Sequence, residues 1–294
     1  MINASTDMSA ARCLIVAAAA WATLAGCRGG AGGGGGGGPK VTLRYHPPTG
    51  AIYRYTLEQQ NSVKMEGGPM AQLPGQDITL HIYYSQAVTG PTAGGIGVTV
   101  TYDSTTMAPG GMAAALDRMR GLTSKVVYDD RMHVVSASFS GIQGQASPLA
   151  EQMGKSIKGM TLALPDAPVG VGDSWTSETD LPIGAALGAS APLKSHTKLT
   201  VKQIQAAETD TSVVLAVETT FPGEPFTITQ GGRKASVRLT GTVTGEQVFS
   251  LAKSVPVHFT MGGSMRIAMR DLSSSQGMTI AMEQQTTLQL MGAN

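Results

Sequence analysis

Long runs of alternating apolar and polar residues dominate the sequence after residue 40. In the run VTLRYH, for example, Val41, Leu43 and Tyr45 share one parity, and polar residues take the other. Successive side chains of a β-strand point to opposite faces, so this alternation predicts strands with one buried and one solvated face. Such strands are typical of antiparallel sheets.

The same pattern predicts about ten or eleven strands joined mostly by short turns. A sheet of this width must curve, because flat sheets with many strands are uncommon. After VTLRYH, the alternating runs are IYRYTLEQ, ITLHIYYSQAV, IGVTVTYDSTTM, SKVVYDD, MHVVSASF, KLTVKQIQAAE, SVVLAVETTF, PFTITQG, SVRLTGTVTGEQVFSL, VPVHFTMGGSMRIAMR and GMTIAMEQQTTLQL.

Two segments have helical spacing instead. In GMAAALDRMRGL, apolar residues recur every three or four positions from Met112 to Met119, and in SPLAEQMGKSIKGM, Ser147 is suited to the N-cap. The predicted fold class is therefore α+β and mainly β, a long curved antiparallel sheet resembling a half-barrel, with two short helices. We predict one domain over residues 40–294; two similar halves that divide near Thr161–Asp173 are the alternative.

The segment LALPDAPVGVGDSWTSETDLP contains several prolines and glycines, which predict a loop. Within it, Pro168 and the glycines at 170 and 172 favour a turn, and Asp173 is suited to accept hydrogen bonds from backbone amides there. Trp175 is expected to bury its ring at the start of the next strand. An aromatic contact to a ligand is the alternative role for Trp175.

The stretch LPDAPVGVGDSW, residues 164–175, resembles a motif in a family of uncharacterised bacterial secreted lipoproteins. Gly50, Tyr53 and Tyr55 match a second motif of that family, Gly-x-x-Tyr-x-Tyr. The overall pattern is also similar to the lipoprotein-carrier fold, a half-barrel that holds lipid. The resemblance implies an envelope lipoprotein and supplies no catalytic residues, and a fold by itself does not give a function.

The N-terminus has the features of a lipoprotein signal peptide, predicted over residues 1–26. The apolar run CLIVAAAAWATLAG is too short to span a membrane. Leu24-Ala25-Gly26-Cys27 resembles the lipobox of bacterial lipoproteins and implies acylation of Cys27; an ordinary secretory signal with a chance cysteine is the alternative. Arg28, rather than aspartate, favours the outer membrane, facing the periplasm or the cell surface.

An almost pure glycine tract follows Cys27, and residues 27–39 are predicted to be a flexible tether. About twelve such residues span roughly 20 Å as a random coil. No Lys-Ser or Lys-Thr pair follows the tract, which argues against a phosphate-binding loop. The predicted tether would hold the domain near a membrane through the lipid on Cys27.

Composition and motif content argue against several other classes. The formal net charge of +1 gives no basic excess for nucleic acid. Cys13 and Cys27 are the only cysteines, so residues 40–294 have no internal disulfide. The five histidines are dispersed, and no catalytic or metal-binding motif occurs. We predict no metal, no cofactor and no enzymatic activity; a hydrolase without a recognisable motif is a remote alternative.

Methionine is abundant, with 16 residues, and concentrates on one parity of the last two predicted strands. Methionine side chains are pliable and polarisable, so an apolar binding surface and ordinary core filling both fit this pattern. We predict a lipid-anchored envelope protein whose curved sheet binds an apolar ligand or lipid; the alternative is a structural or protein-interaction module. The candidate ligand-binding residues are Phe259, Met261, Met265, Ile267, Met269, Met278 and Met282.

Overall fold

The computed structural model describes residues 38–67, 71–109, 120–140, 163–181, 193–230, 233–274 and 277–294. All regular secondary structure in these ranges is β. The predicted signal peptide, Cys27 and most of the tether lie outside the described residues. So do both predicted helices, apart from the turn at residues 120–122. Within the described ranges, no helix is long and apolar enough to cross a bilayer.

Most of the strands are long, as the alternating runs predict. Their bounds are β1 Ile52–Glu66, β2 Gln76–Thr92, β3 Gly95–Ala108, β4 Thr123–Tyr128, β5 Val134–Ser140, β6 Ser174–Leu181, β7 Leu193–Ala206, β8 Thr211–Pro222, β9 Phe226–Gln230, β10 Arg233–Ser250, β11 Val255–Asp271 and β12 Gly277–Ala293.

The twelve strands of the described ranges belong to one antiparallel sheet, which confirms the prediction of a mainly β protein. The strand order is β5-β4-β3-β2-β1-β12-β11-β10-β8-β7-β6, and β9 pairs with β10 outside this path. The sheet consists of two halves, β1–β5 and β6–β12, joined where β1 pairs with β12. The edge strands β5 and β6 do not pair with each other in the described part of the chain, so the sheet is open.

The prediction of a strand at VTLRYH was wrong. Val41 forms only an isolated bridge with Val169, through hydrogen bonds of 2.8 and 2.9 Å. Four residues later, the amide of Tyr45 donates to the carbonyl of Asp130 over 2.7 Å. Because its hydrogen bonds are divided between two partners, this N-terminal segment (residues 39–46) forms no ladder. It links the β4–β5 turn to the chain before β6.

Strand β6 begins beside Trp175, where the sequence predicts the start of a strand, but it continues through the rest of the predicted loop to Leu181, which is a second correction. Trp175 of β6 lies opposite Leu199 of β7, and Ser177 lies opposite Thr197. The inward position after Trp175 is therefore a buried serine, so the segment lacks the apolar alternation that identifies a half-buried strand. Pairing with β7 decides the local structure instead.

Glycines on β10 and β11 allow the two backbones to approach closely. A Cβ atom on Gly245 would lie 1.8 Å from the carbonyl oxygen of Thr260, and one on Gly241 would lie 2.3 Å from that of Ser264. Gly241 also has a φ of +141°, which side-chain-bearing residues rarely adopt. Glycines at such positions mark a tight bend in a sheet.

One face of the sheet, here the inner face, carries two separate apolar clusters. Strands from both halves contribute to the first, so the sheet bends around it. Its buried members are Leu43, Tyr45, Tyr53, Tyr55, Leu57, Val88, Ile96, Val98, Val100, Val126, Met132, Leu164, Val169, Leu199, Val201, Val213, Leu215, Val217, Phe249, Val255, Phe259 and Leu288, called the tyrosine cluster below. The buried members of the second are Phe221, Ile228, Val237, Leu239, Val243, Met265, Ile267, Ile280 and Met282, called the methionine cluster.

Candidate functional site

The residues predicted from methionine parity lie on the inner face of β11 and β12. Met265 lies opposite Met282, and Met269 lies opposite Met278. Ile267 belongs to the same cluster, whereas Phe259 packs in the tyrosine cluster, and Met261 contacts both clusters. The two-residue period predicts the shared face, and the β11–β12 pairing then places the methionines side by side.

These residues differ in accessibility. Met265 is 2% exposed and Met282 is 5% exposed, so both lie in the interior. Met261, Met269 and Met278 keep partial exposure at the margin of the methionine cluster. An apolar ligand would therefore meet these three side chains first. Their unbranched thioether chains can repack around different shapes.

The tyrosine cluster is filled by segments that lie outside the sheet. Leu43 and Tyr45 enter it from the N-terminal segment, and Leu164 and Val169 enter it from the chain before β6. The Tyr45 and Tyr128 rings have centroids 5.1 Å apart, a distance at which aromatic rings attract each other. The Tyr55 hydroxyl donates to the carbonyl of Pro256 over 3.0 Å. The protein's own side chains thus occupy this end of the inner face.

The tyrosine hydroxyls of this region stay protonated far into the alkaline range. Burial raises the pKa of Tyr55 well above its usual value, and the neighbouring phenol of Tyr84 adds to the effect. Burial likewise raises the pKa of Tyr45, Tyr84 and Tyr128. Because deprotonation is so unfavourable here, these phenols are not suited to act as general bases.

Neutral polar side chains cross the inner face between the two clusters. The strand register aligns Asn61, Gln284, Thr219, Thr197 and Ser177 in one line across the sheet. Gly263 and the apolar Val243 occupy the two positions of this line between Gln284 and Thr219. Gln59 and Thr286 lie opposite each other in the next line. These seven residues form the polar band, and all are buried: Gln59, Asn61, Ser177, Thr197, Thr219, Gln284 and Thr286.

Hydrogen bonds within the polar band satisfy part of its capacity. The Gln59 amide donates to Asn61 Oδ1 over 3.1 Å, and the Gln284 amide donates to Thr286 Oγ1 over 3.0 Å. The hydroxyls of Thr197 and Thr219 are 2.8 Å apart. This band was not predicted from the sequence. Its signal is the presence of glutamine, asparagine and threonine at inward parity between apolar residues in LEQQNSVKM and AMEQQTTLQL.

The loop before β6 is held by a hydrogen bond that the sequence predicts and by two further contacts. The amide of Gly170 donates to Asp173 Oδ2 over 2.9 Å, and Lys40 Nζ lies 3.2 Å from the same oxygen. Both contacts hold the pKa of Asp173 below its usual value. Trp175 Nε1 donates to the carbonyl of Ala163 over 2.8 Å. The hydrogen-bonding role predicted for Asp173 is thus confirmed, and the indole N–H of Trp175 has an intramolecular partner.

The acidic turn between β4 and β5 has a local structural role. Asp129 Oδ1 accepts hydrogen bonds from the amides of Arg131 and His133, and Asp129 Oδ2 lies 2.5 Å from His133 Nδ1. The described residues contain no group of three or more histidine, cysteine, aspartate or glutamate side chains that could hold a metal ion. The most distinctive chemistry described is the inner face itself, with two apolar clusters and a neutral polar band.

Comparisons with known proteins identify a fold likeness and no family. No protein-family model matches the chain, and no curated protein matches it in sequence. One solved structure, from work on lipid–protein interactions in lipovitellin, is similar to this chain. The similarity covers 85% of this chain, with a TM-score of 0.50 and 12% sequence identity. The matched region is 26% of the lipovitellin chain, so this chain spans about a quarter of its length. At this identity the likeness concerns the fold alone.

Proposed function

We propose that this protein is a non-enzymatic, lipid-anchored envelope protein whose half-barrel-like sheet binds the acyl chain of a lipid at the methionine cluster. The observation that carries the proposal is the difference between the two clusters. The tyrosine cluster takes in side chains such as Leu43 and Leu164 from outside the sheet. The methionine cluster, among the described residues, consists of sheet residues alone.

The fold comparison supports the same proposal at a coarser level. The similar structure concerns lipid–protein interactions in lipovitellin, and the likeness covers most of this chain. A long open antiparallel sheet with one apolar face offers a broad surface for an extended hydrocarbon chain. The lipovitellin structure is thus consistent with lipid binding, whereas the residues proposed here come from this chain's own methionine cluster.

The free energy of burying part of an acyl chain is large enough for measurable binding. Each buried methylene group contributes about 0.8 kcal/mol, so roughly ten of them contribute about 8 kcal/mol. That free energy corresponds to a dissociation constant near 1 μM, before the cost of immobilising the ligand is subtracted. Partial burial of a long acyl chain is therefore enough for measurable binding.

The proposed anchor would place this surface next to membrane lipids. Acylation of Cys27 would attach the chain to a membrane, and residues 27–39 would provide a glycine-rich tether. Stable attachment requires more than one acyl chain, as bacterial lipoproteins carry. Wild-type protein should therefore be found with the membranes, and Cys27→Ala should be found in the soluble fraction. Recovery of the wild type in the soluble fraction would contradict the anchor.

Binding is tested by titrating a fluorescent fatty acid into the full chain carrying Cys27→Ala. We expect saturable binding near the micromolar range, and a loss of at least about tenfold in Met269→Asp, because a charge on the apolar surface disfavours the hydrocarbon chain. Ala268→Asp is the matched control, since Ala268 is the adjacent residue on the same strand and is exposed on the opposite face. Absence of saturable binding in the parent, or equal loss in both variants, would overturn the proposal.

A further inference from the structure

We infer that the ligand of the inner face is an electrically neutral lipid, with an ester, amide or hydroxyl group next to its acyl chain, and that the polar band binds this group. The inference rests on the proposed function and adds a ligand class to it. The band borders the methionine cluster, so a lipid whose acyl chain lies along the strands on that cluster would bring its polar group to the band.

The position of the band follows from the strand register. Along β12, Met282 belongs to the methionine cluster, Gln284 and Thr286 to the polar band, and Leu288 to the tyrosine cluster. With a rise of about 3.4 Å per residue, the two apolar residues are roughly 20 Å apart. Strand β8 repeats this order, with Phe221, Thr219 and Val217 at successive inward positions. The polar interruption is thus present on both sides of the glycine-rich bend.

The chemistry of the band favours an uncharged partner. Its side chains are amides and hydroxyls, and all the buried polar side chains identified in the described residues are neutral. A carboxylate or phosphate moved into such surroundings loses its hydration without gaining a counter-charge, which is strongly unfavourable. An ester or amide carbonyl needs only hydrogen-bond donors, and a hydroxyl needs one donor and one acceptor.

Gln247 supplies the observation that points to a ligand. Its side chain is 0% exposed, and neither its amide nitrogen nor its amide oxygen has a hydrogen-bond partner in the described part of the protein. It lies outside the polar band, opposite Phe259 and Leu215 of the tyrosine cluster and next to the glycine-rich bend. The inward residue two positions before it, Gly245, is aligned through Met261 with Thr286 of the polar band.

Ser177, at the β6 end of the polar band, repeats this situation. It is 2% exposed, and its hydroxyl also has no partner among the described residues. A buried amide or hydroxyl that makes no hydrogen bond destabilises a fold by about 1–3 kcal/mol. Because β7 and β8 lie between β6 and β10, a carbonyl or hydroxyl of the ligand would satisfy one of these two groups at a time.

The test compares three ligands that share one acyl chain: laurate, lauramide and 1-monolaurin. Each displaces a fluorescent acyl probe from the full chain carrying Cys27→Ala at pH 8, where laurate is charged. We expect lauramide and monolaurin to bind at least about tenfold more tightly than laurate, because only the charged ligand loses its hydration without compensation. Equal affinities would overturn the inference and leave the proposed function standing. If none of the ligands binds, the proposed function itself fails.

Gln247→Leu tests the role of the unpaired amide. We expect the preference for neutral ligands to fall by about fivefold or more, while the thermal midpoint without ligand stays the same or rises, because a buried unpaired amide is removed. Gln285→Leu is the matched control, since Gln285 is exposed on the outer face of β12. An unchanged preference in Gln247→Leu would show that the amide is structural and would overturn the inference. If Gln247→Leu fails to fold, Ser177→Ala takes its place with the same expectation.

Discussion

The tyrosine and methionine clusters lie on the same face of the same sheet, yet they are built differently. The tyrosine cluster combines both halves of the sheet with the N-terminal segment and the chain before β6. The methionine cluster draws on β8 to β12, with Val63 of β1 at its margin. Stiff aromatic and β-branched side chains make up most of the buried members of both clusters, whereas flexible methionines are concentrated in the second. The same alternation of inward and outward residues thus supports a fixed core at the tyrosine cluster and an adaptable surface at the methionine cluster.

This comparison suggests a division of tasks within one layer. Rings and β-branched residues have few rotamers, so they specify a unique packing. Methionine has three rotatable bonds and tolerates a changing neighbour. Stability should therefore depend mainly on the tyrosine cluster, and ligand affinity mainly on the methionine cluster.

The largest expected difference is in the free energy of unfolding, when one apolar side chain of each cluster is truncated and the two variants are compared. Leu43→Ala should lower the free energy of unfolding by about 2–5 kcal/mol, because Leu43 is 0% exposed and its loss leaves a cavity. Met269→Ala should cost less than about 1.5 kcal/mol, since Met269 is only partly buried. Urea unfolding of both variants measures the difference. Equal losses, or a larger loss in Met269→Ala, would remove the distinction between the clusters.

An effect of intermediate size on stability is expected at alkaline pH. Burial raises the pKa of Tyr84, so the folded state prefers the neutral phenol. The resulting stability is fully present below pH 10, the usual tyrosine value, and is lost as the pH rises above it. Tyr84→Phe should therefore reduce the fall in urea midpoint between pH 9 and pH 11. Tyr83→Phe, at an exposed neighbouring position, should leave that fall unchanged, and similar behaviour of the two variants would contradict the interpretation.

The smallest expected effect is on the thermal midpoint in acid, through the link between the N-terminal segment and the chain before β6. The Gly170 amide and Lys40 lower the pKa of Asp173, so the folded state prefers the carboxylate. This contribution is present above about pH 4, the usual aspartate value, and is lost as the pH falls through the lower folded value. Asp173→Asn should show a smaller drop in thermal midpoint between pH 6 and pH 3 than the wild type. An identical drop in both proteins would argue against this role.

Local sequence patterns predicted most of the strands and the methionines of the inner face, but not its polar band. Strands such as β1, β11 and β12 follow from alternation, and the shared parity of Met265 and Met269 placed both on one face. The extent of strand β6 was missed because Ser177 interrupts its apolar side. The polar band was missed because the inward glutamines and threonines are seen to lie side by side only after the strands are aligned. Alignment depends on pairing between distant segments, and a single sequence does not encode it locally.

The pairing of β1 with β12 has a consequence for the order of folding. Tyr53 lies opposite Ala293, so the centre of the sheet joins residues 240 positions apart in the chain. Contacts with such large sequence separation form slowly, because a long loop must close first. As the chain is synthesised, the β1–β5 half can assemble early, but one edge of β1 stays unpaired until residues 277–293 arrive. An open strand edge is a template for pairing with other chains. Protection from aggregation during synthesis therefore depends on the last strand that the structure describes.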